Sequence, residues 1–281
     1  MPLLLTIMLF AALGGLASAA FAIGFLWVRE EHSARILPHF ISFATGALLG
    51  AALLALLPEA MAGAGPEGAH RIGLTLIAGL GVFFVIEKLV LWWHAHAHLD
   101  SGAAAACAQH ADDVHEAHTG HGHHHTAEHA RDHASGVLVL VGDSLHNVLD
   151  GALIAAAFLG SLQLGVLTTF AVAAHEIPHR VGDFAILVQA GLSRSRALLL
   201  NLATGVASVL GAVVAYFGLR ETQHALPYAL AFAAAGFLYI AVAGLIPGLH
   251  RRADPRTSAI QVLLIAAGIA AIAGAERLTR Q

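Results

Sequence analysis

The chain has 281 residues, is 58% hydrophobic and only 11% charged, and carries a formal net charge of −4 at a mean hydropathy of +0.74. A soluble domain carries about 25% charged residues, so the composition excludes a water-soluble globular fold and points to an integral membrane protein in a lipid bilayer. The single cysteine, Cys107, excludes a disulfide framework or a thiolate zinc site within one chain. The one lysine, Lys88, lies in no GxxxxGKS/T segment, which excludes a P-loop and transport driven by nucleotide bound there.

Eight apolar runs follow one another, at roughly 2–28, 36–58, 72–93, 137–159, 164–189, 197–218, 226–246 and 258–275. Each has about the 20 residues a helix needs to cross roughly 30 Å of hydrocarbon. They predict an all-α membrane protein, with eight transmembrane helices in one bundle and a single transmembrane domain over 1–281. The first run has a cleavage-like Ala17-Ser18-Ala19-Ala20 but no basic segment ahead of it, and its apolar stretch continues to Val28, so it reads as a span. The second ends at Leu57-Pro58, and Glu59 and Glu67 follow it as acids that could attract cations or simply be solvated. Glu87 and Lys88, late in the third, read as snorkelling or mutually paired.

Residues 94–136 join the third and fourth runs and hold twelve of the twenty histidines, most densely at His121-Gly122-His123-His124-His125. Gly, Ala and acidic residues fill the rest, which predicts a disordered loop. His121, His123, His124 and His125 are candidate accessory metal ligands; the competing reading is weak, adventitious metal binding.

The fourth run carries Asp143, His146, Asn147 and Asp150 at spacings of 3, 4 and 7, which gather on one stripe of a helix. The fifth run does the same with His175, Glu176, His179 and Asp183. An acid at the centre of a transmembrane helix costs roughly 2.5–3.5 kcal/mol even on an insertion scale. Two facing stripes of imidazole, carboxylate and amide offer four to six ligands of the kind borderline divalent metals prefer. A lone intramembrane His or Asn is often only an interhelical hydrogen-bonding residue; eight polar groups on two neighbouring stripes are harder to explain that way. Pro178 removes an amide donor and frees the carbonyl near Ala174, irregularity that a membrane tolerates only inside protein or beside a cavity. Asp143 and Asp183 extend the polar track one turn toward one side, and Arg180 can pair with Asp183 or another acid.

The seventh run ends at Ile246-Pro247, echoing Leu57-Pro58. The echo reads either as an internal repeat of helices 1–3 and 6–8, inverted around helices 4–5, or as chance. Odd loops hold Arg29, Arg35, Arg131, Arg194, Arg196, Arg251, Arg252 and Arg256; the other side holds Arg71, Arg220, Arg277 and Arg280. Eight against four puts the odd loops, including 94–136, in the cytoplasm and both termini outside.

Two families share these motifs. His175-Glu176-Ile177-Pro178-His179 satisfies HExxH, in which two His bind zinc and Glu activates water. It resembles the motif of intramembrane metalloproteases, with Leu149-Asp150-Gly151 similar to their third-ligand LDG segment. In those proteases, however, LDG follows HExxH, and here it precedes it. The other resemblance covers most of the chain. HNVLDG (146–151) resembles the HNxxDG signature of the fourth helix of ZIP-family metal transporters, and HEIPHRVGDFAIL (175–187) resembles the HEIPHxxGD signature of their fifth. ATGALLGAALLALLPEA (44–60), FFVIEK (83–88) and GFLYIAVAGLIPGL (236–249) are similar to segments of their second, third and seventh helices.

The ZIP resemblance implies a non-enzymatic carrier that imports zinc, or in some members Fe²⁺, Mn²⁺ or Cd²⁺, into the cytosol as a homodimer moving in an elevator-like way. It implies residence in the plasma membrane, the inner one in a bacterium, and no nucleic-acid or nucleotide partner. It also implies a binuclear site between helices four and five. His146, Asp150, His175 and His179 would hold the main ion, and Asn147 and Glu176, with His179 shared, a second. Asn201 on the sixth helix is a further candidate ligand. The chain departs from the family pattern at Ala55, where many members have His, and at Ser208, where some bacterial relatives have a metal-binding Glu.

Overall fold

The computed structural model describes residues 2–26, 30–89, 124–189, 191–250 and 254–279. Among these residues the backbone is helical and contains no strand, as the composition required. Helix α1 is Pro2–Leu26, with proline near its start where a missing N–H costs nothing. Helix α2 runs over 30–64 in three pieces: Glu30–Gly50, a wide π-helical turn at Ala51–Leu56, and Leu57–Ala64. Helix α3 is Pro66–Leu89. Helices α4 (His124–Gly160), α5 (Leu162–Gln189) and α6 (Arg194–Arg220) follow, then α7 (Gln223–Leu249) and α8 (Pro255–Thr279).

Five of these segments are long and apolar enough to cross a membrane: Ile36–Ala64, Pro66–Leu89, Arg194–Arg220, Gln223–Leu249 and Pro255–Leu278. The polar stripes lower the apolarity of α4 and α5, so length and composition alone do not single them out. Helix α4 begins at His124, inside the stretch expected to be a loop up to 136. Residues 126–134 contain neither Gly nor Pro and include three Ala, one Glu and one Arg, which favours helix. At 37 residues, α4 is about 55 Å long at 1.5 Å per residue and extends well beyond a hydrocarbon core. Of the histidines proposed for the loop, His121 and His123 lie outside the described residues. His124 and His125 open α4, and their side chains lie outside the description too.

The wide turns in α2 and α7 have one cause. A proline cannot donate to the carbonyl four residues back, and upstream of Pro58 and Pro247 the helix widens to i→i−5 bonds. Leu57 N–H donates to Ala52 O in α2, and Ile246 N–H donates to Ala241 O in α7. The Leu/Ile-Pro echo of the sequence is therefore matched by an equal backbone feature, a six-residue π segment in each helix. Asp254 starts α8 by accepting from Thr257 N–H at 2.9 Å, ahead of Pro255. The Thr257 hydrogen bonds hold its carboxyl below the usual carboxylate range.

Helices α4 and α6 make the most extensive pairing, and it is a backbone contact. A Cβ added at Gly151 would strike Ser208 O, and one at Gly211 would strike Val148 O. Helices α2 and α8 meet similarly, through Gly46 against Ile265 and Gly268 against Phe43. Small residues allow such approach where packing, rather than water, drives helix association. Helix α6 shows what this sorting achieves. Leu199, Val206, Leu210, Val214 and Phe217 are exposed on one face, while Asn201, Thr204, Ser208 and Gly211 are buried on the other. The exposed apolar face suits lipid, and the polar face is turned inward to α4 and α5. Helix α3 lies at the periphery, with Phe83 packed on Phe232 and Tyr239 of α7, and Tyr239 Oη donating to Glu87.

Candidate metal centre

The stripes of α4 and α5 meet as their periodicity predicts. His146 Nε2 lies 3.1 Å from His175 Nε2. Asp150 Oδ2 is 3.5 Å from His146 Nε2 and 3.4 Å from His175 Nε2, and Glu176 Oε1 is 3.9 Å from His146 Nε2. One donor atom from each of His146, Asp150, His175 and Glu176 falls within 4.8 Å of all the others. Asp150, His175 and Glu176 are fully buried, whereas the His146 side chain retains 23% exposure. The set is open on the His146 side and closed on the others.

Two features suit it to a cation and set it apart from a self-satisfied polar core. Asp150 Oδ2 and Glu176 Oε1 are buried and accept no hydrogen bond, a condition that costs about 1–3 kcal/mol per group unless something fills it. The His175 ring is also oriented from behind. Its Nδ1 lies 3.2 Å from Ala171 O, and donation there leaves the Nε2 lone pair facing the cluster, the outer-shell arrangement that fixes a ligand imidazole. Two nitrogens and two carboxylate oxygens form a donor set suited to Zn²⁺ and its borderline neighbours.

His179, also expected as a ligand, lies beside these four residues. Its ring centre is 5.3 Å from that of His146 and 6.3 Å from that of His175, and its side chain is exposed. Glu176 stands with His146, Asp150 and His175 in the four-residue set.

Asn147 Oδ1 and Glu176 Oε2, expected beside a second ion, both face Arg180. Arg180, fully buried, fills that position. Its Nε donates to Glu176 Oε2 at 2.8 Å and its Nη2 to Asn147 Oδ1 at 2.8 Å. Its Nη1 donates to Asn201 O, Asn201 Oδ1 and Thr204 Oγ1 and lies 3.5 Å from Asp143 Oδ2. Asn201 Nδ2 returns a bond to Arg180 O at 3.0 Å, and Asn147 Nδ2 donates to Asp143 O and Oδ1. Asn201 is thus a partner of Arg180 and no member of the four-donor set. Arg180 pairs with Glu176 and Asp143, the "another acid" alternative, and not with Asp183. Asp183 Oδ2 is buried and accepts no hydrogen bond.

Glu59 is remote from the cluster. It lines a cavity of about 180 Å³ with Ala55, Ser161, Gln163, Leu164, Leu167 and Glu276. Sequence reasoning missed Thr204 and the central place of Arg180. The available signal was an arginine inside an apolar run, which needs acids on more than one helix.

A buried His/Asp/Glu cluster between long helices of a membrane protein defines a class: integral membrane proteins that handle divalent metal. The comparisons are narrower. The family model for the ZIP zinc transporter matches residues 2–276. The chain is 37% identical over 257 residues to zinc transporter ZIP13 of Pongo abelii, covering 86% of this chain and 67% of that protein. It is 36% identical over 274 residues to the Homo sapiens protein of the same name, covering 86% and 71%. Zinc transporter SLC39A7 of Rattus norvegicus is 32% identical over 321 residues, covering 91% and 69%. The chain belongs to the ZIP zinc transporter family. The relatives are transporters rather than enzymes, and the protease reading finds no support. Its would-be general base, Glu176, has one carboxylate oxygen bound by Arg180.

Proposed function

We propose that the chain carries Zn²⁺ across the membrane through the His146, Asp150, His175 and Glu176 set. One observation carries the reading: two buried, unpartnered carboxylate oxygens and two imidazole nitrogens converge within 4.8 Å, on segments whose neighbours are long enough to span a bilayer. The ion sheds water at the His146 side and takes the four donors. Mixed imidazole and carboxylate ligation binds it well enough to admit it and loosely enough to release it. His179, exposed beside His146, hands the ion in or out, and Asp183 and Asp143 continue the polar track toward the cytosol.

The finer reading follows the sequence. All eight helices span the membrane, both termini lie outside, the 94–136 connection is cytoplasmic, and net movement is inward. Fe²⁺, Mn²⁺ and Cd²⁺ are competing cargoes, and the unit is a homodimer in the plasma membrane. The test is uptake of radioactive Zn²⁺ by proteoliposomes holding the purified chain, with Mn²⁺, Fe²⁺ and Cd²⁺ as competitors. His175→Ala is expected to reduce uptake to that of empty vesicles. Undiminished uptake by this variant would overturn the assignment of the site.

A further inference from the structure

The oxygens beside the four-donor set form a second cation pocket. Asn147 Oδ1, Glu176 Oε2 and Asp143 Oδ2 come from two helices and lie at 2.8, 2.8 and 3.5 Å from guanidinium nitrogens of Arg180. Asn201 and Thr204 of a third helix complete the shell. Arg180 is fully buried, and a guanidinium stays charged at any attainable pH. It is therefore a permanent cation whose three nitrogens all donate, set where a small ion would otherwise be ligated. The Asn147 amide is turned to suit it: Nδ2 is spent on Asp143 O and Oδ1, which leaves Oδ1 for Arg180.

Glu176 divides its two oxygens between the pockets. Oε2 is taken by the arginine, while Oε1 is unpartnered and faces His146. A second divalent ion at Asn147 and Glu176 would have to displace a side chain tied to three helices, or sit within a few ångströms of its charge in a low-dielectric interior.

We propose that Arg180 is the built-in cation of this second pocket, so that the chain loads one metal ion where Asn147 and Glu176 would otherwise admit two. The proposal rests on the four-donor set being the transported ion's site. Its consequence is a centre whose second positive charge neither exchanges nor travels, so Glu176 stays positioned when the cargo leaves.

The experiment counts bound Cd²⁺ by equilibrium dialysis on the purified full chain in detergent. Variants are compared with wild type, so that binding by the histidine-rich segment cancels. His175→Ala is expected to lose one ion; retention of the full count would overturn the site assignment itself, independently of Arg180. Arg180→Gln is expected to gain one ion, and Arg180→Gln with Asn147→Ala to lose that gain. Arg180→Lys, which keeps the charge, is expected to bind the wild-type number. Asn147→Ala with Arg180 intact keeps the idea testable if Arg180→Gln does not fold: the count is expected to stay at the wild-type value. An unchanged count in folded Arg180→Gln, or the loss of one ion in Asn147→Ala alone, would overturn the proposal.

Discussion

Replacing Asp150 by Asn is expected to move metal affinity and metal-free stability in opposite directions. Asp150 Oδ2 is buried, accepts no hydrogen bond and lies 3.4 Å from His175 Nε2. With an ion bound, it supplies a full charge to a desolvated dication. Removing one partner of a buried charge pair costs about 3–5 kcal/mol, and each 1.4 kcal/mol is about tenfold in affinity. Binding should therefore weaken by roughly two to three and a half orders of magnitude. Without the ion, Oδ2 of the same carboxylate is buried and accepts no hydrogen bond, with only the two imidazoles beside it, and an isosteric amide removes its charge. The assay is unfolding of the detergent-solubilised chain with and without Zn²⁺. At a concentration of 100 times the wild-type Kd, ligand linkage stabilises the wild type by about 2.7 kcal/mol. A variant binding at least 100-fold more weakly gains about 0.4 kcal/mol or less at the same concentration. Metal-free Asp150→Asn is expected to be at least as stable as metal-free wild type. A loss of stability without metal, accompanied by an unchanged response to Zn²⁺, would mean that Asp150 is a structural partner of the histidines, and the cation-site reasoning would fail.

Further outcomes follow from the same geometry. Zinc uptake at fixed free Zn²⁺ is expected to fall as the pH is lowered, because protonated imidazole cannot ligate and two histidines sit in the set; flat uptake in pH-clamped proteoliposomes would count against His146 and His175 as direct ligands. At Gly151 an added Cβ would lie 2.6 Å from the Ser208 carbonyl carbon and 2.9 Å from Ala212 N. Gly151→Val should therefore push α4 from α6, cost about 1–3 kcal/mol and reduce uptake. Gly218→Ala meets nothing within 4 Å and should be neutral or slightly stabilising. Equal behaviour of these two variants in unfolding and uptake assays would show that the α4–α6 contact does not set the site.

What was legible in the sequence was periodicity. Spacings of 3, 4 and 7 put Asp143, His146, Asn147 and Asp150 on one stripe, and the facing stripe on α5 carried His175 and Glu176 to it. The apolar runs fall on helical backbone among the described residues, although the fourth helix starts thirteen residues earlier than its apolarity suggested. Hydropathy measures the part in lipid, and a charged helix continuing into water is invisible to it. How closely Glu176 and His179 each approach α4 was not legible. Both lie near His175, at one and four positions, and which of them faces α4 depends on the rotation of α5 about its own axis. That rotation is set by packing against α1, α2 and α4 rather than by local pattern. Helix α5 is continuous through Pro178, whereas wide turns occur ahead of Pro58 and Pro247.

The arginine explains why so many acids are tolerated on two helices. Asp143, Asp150, Glu176 and Asp183 gather around α4 and α5, and a membrane protein that relied on its cargo alone to neutralise them would come apart whenever the cargo left. Arg180 takes two of them, Glu176 at 2.8 Å and Asp143 at 3.5 Å, and ties both helices to α6 through Asn201 and Thr204. The helix interface then holds without an ion. Asp150 Oδ2 and Glu176 Oε1 are left unsatisfied on the open side, where His146 faces outward. A carrier needs that division of labour, because an ion that also held the helices together could not depart at the rate transport demands. The permanent cation on one side of Glu176 is what lets the other side serve a transient one.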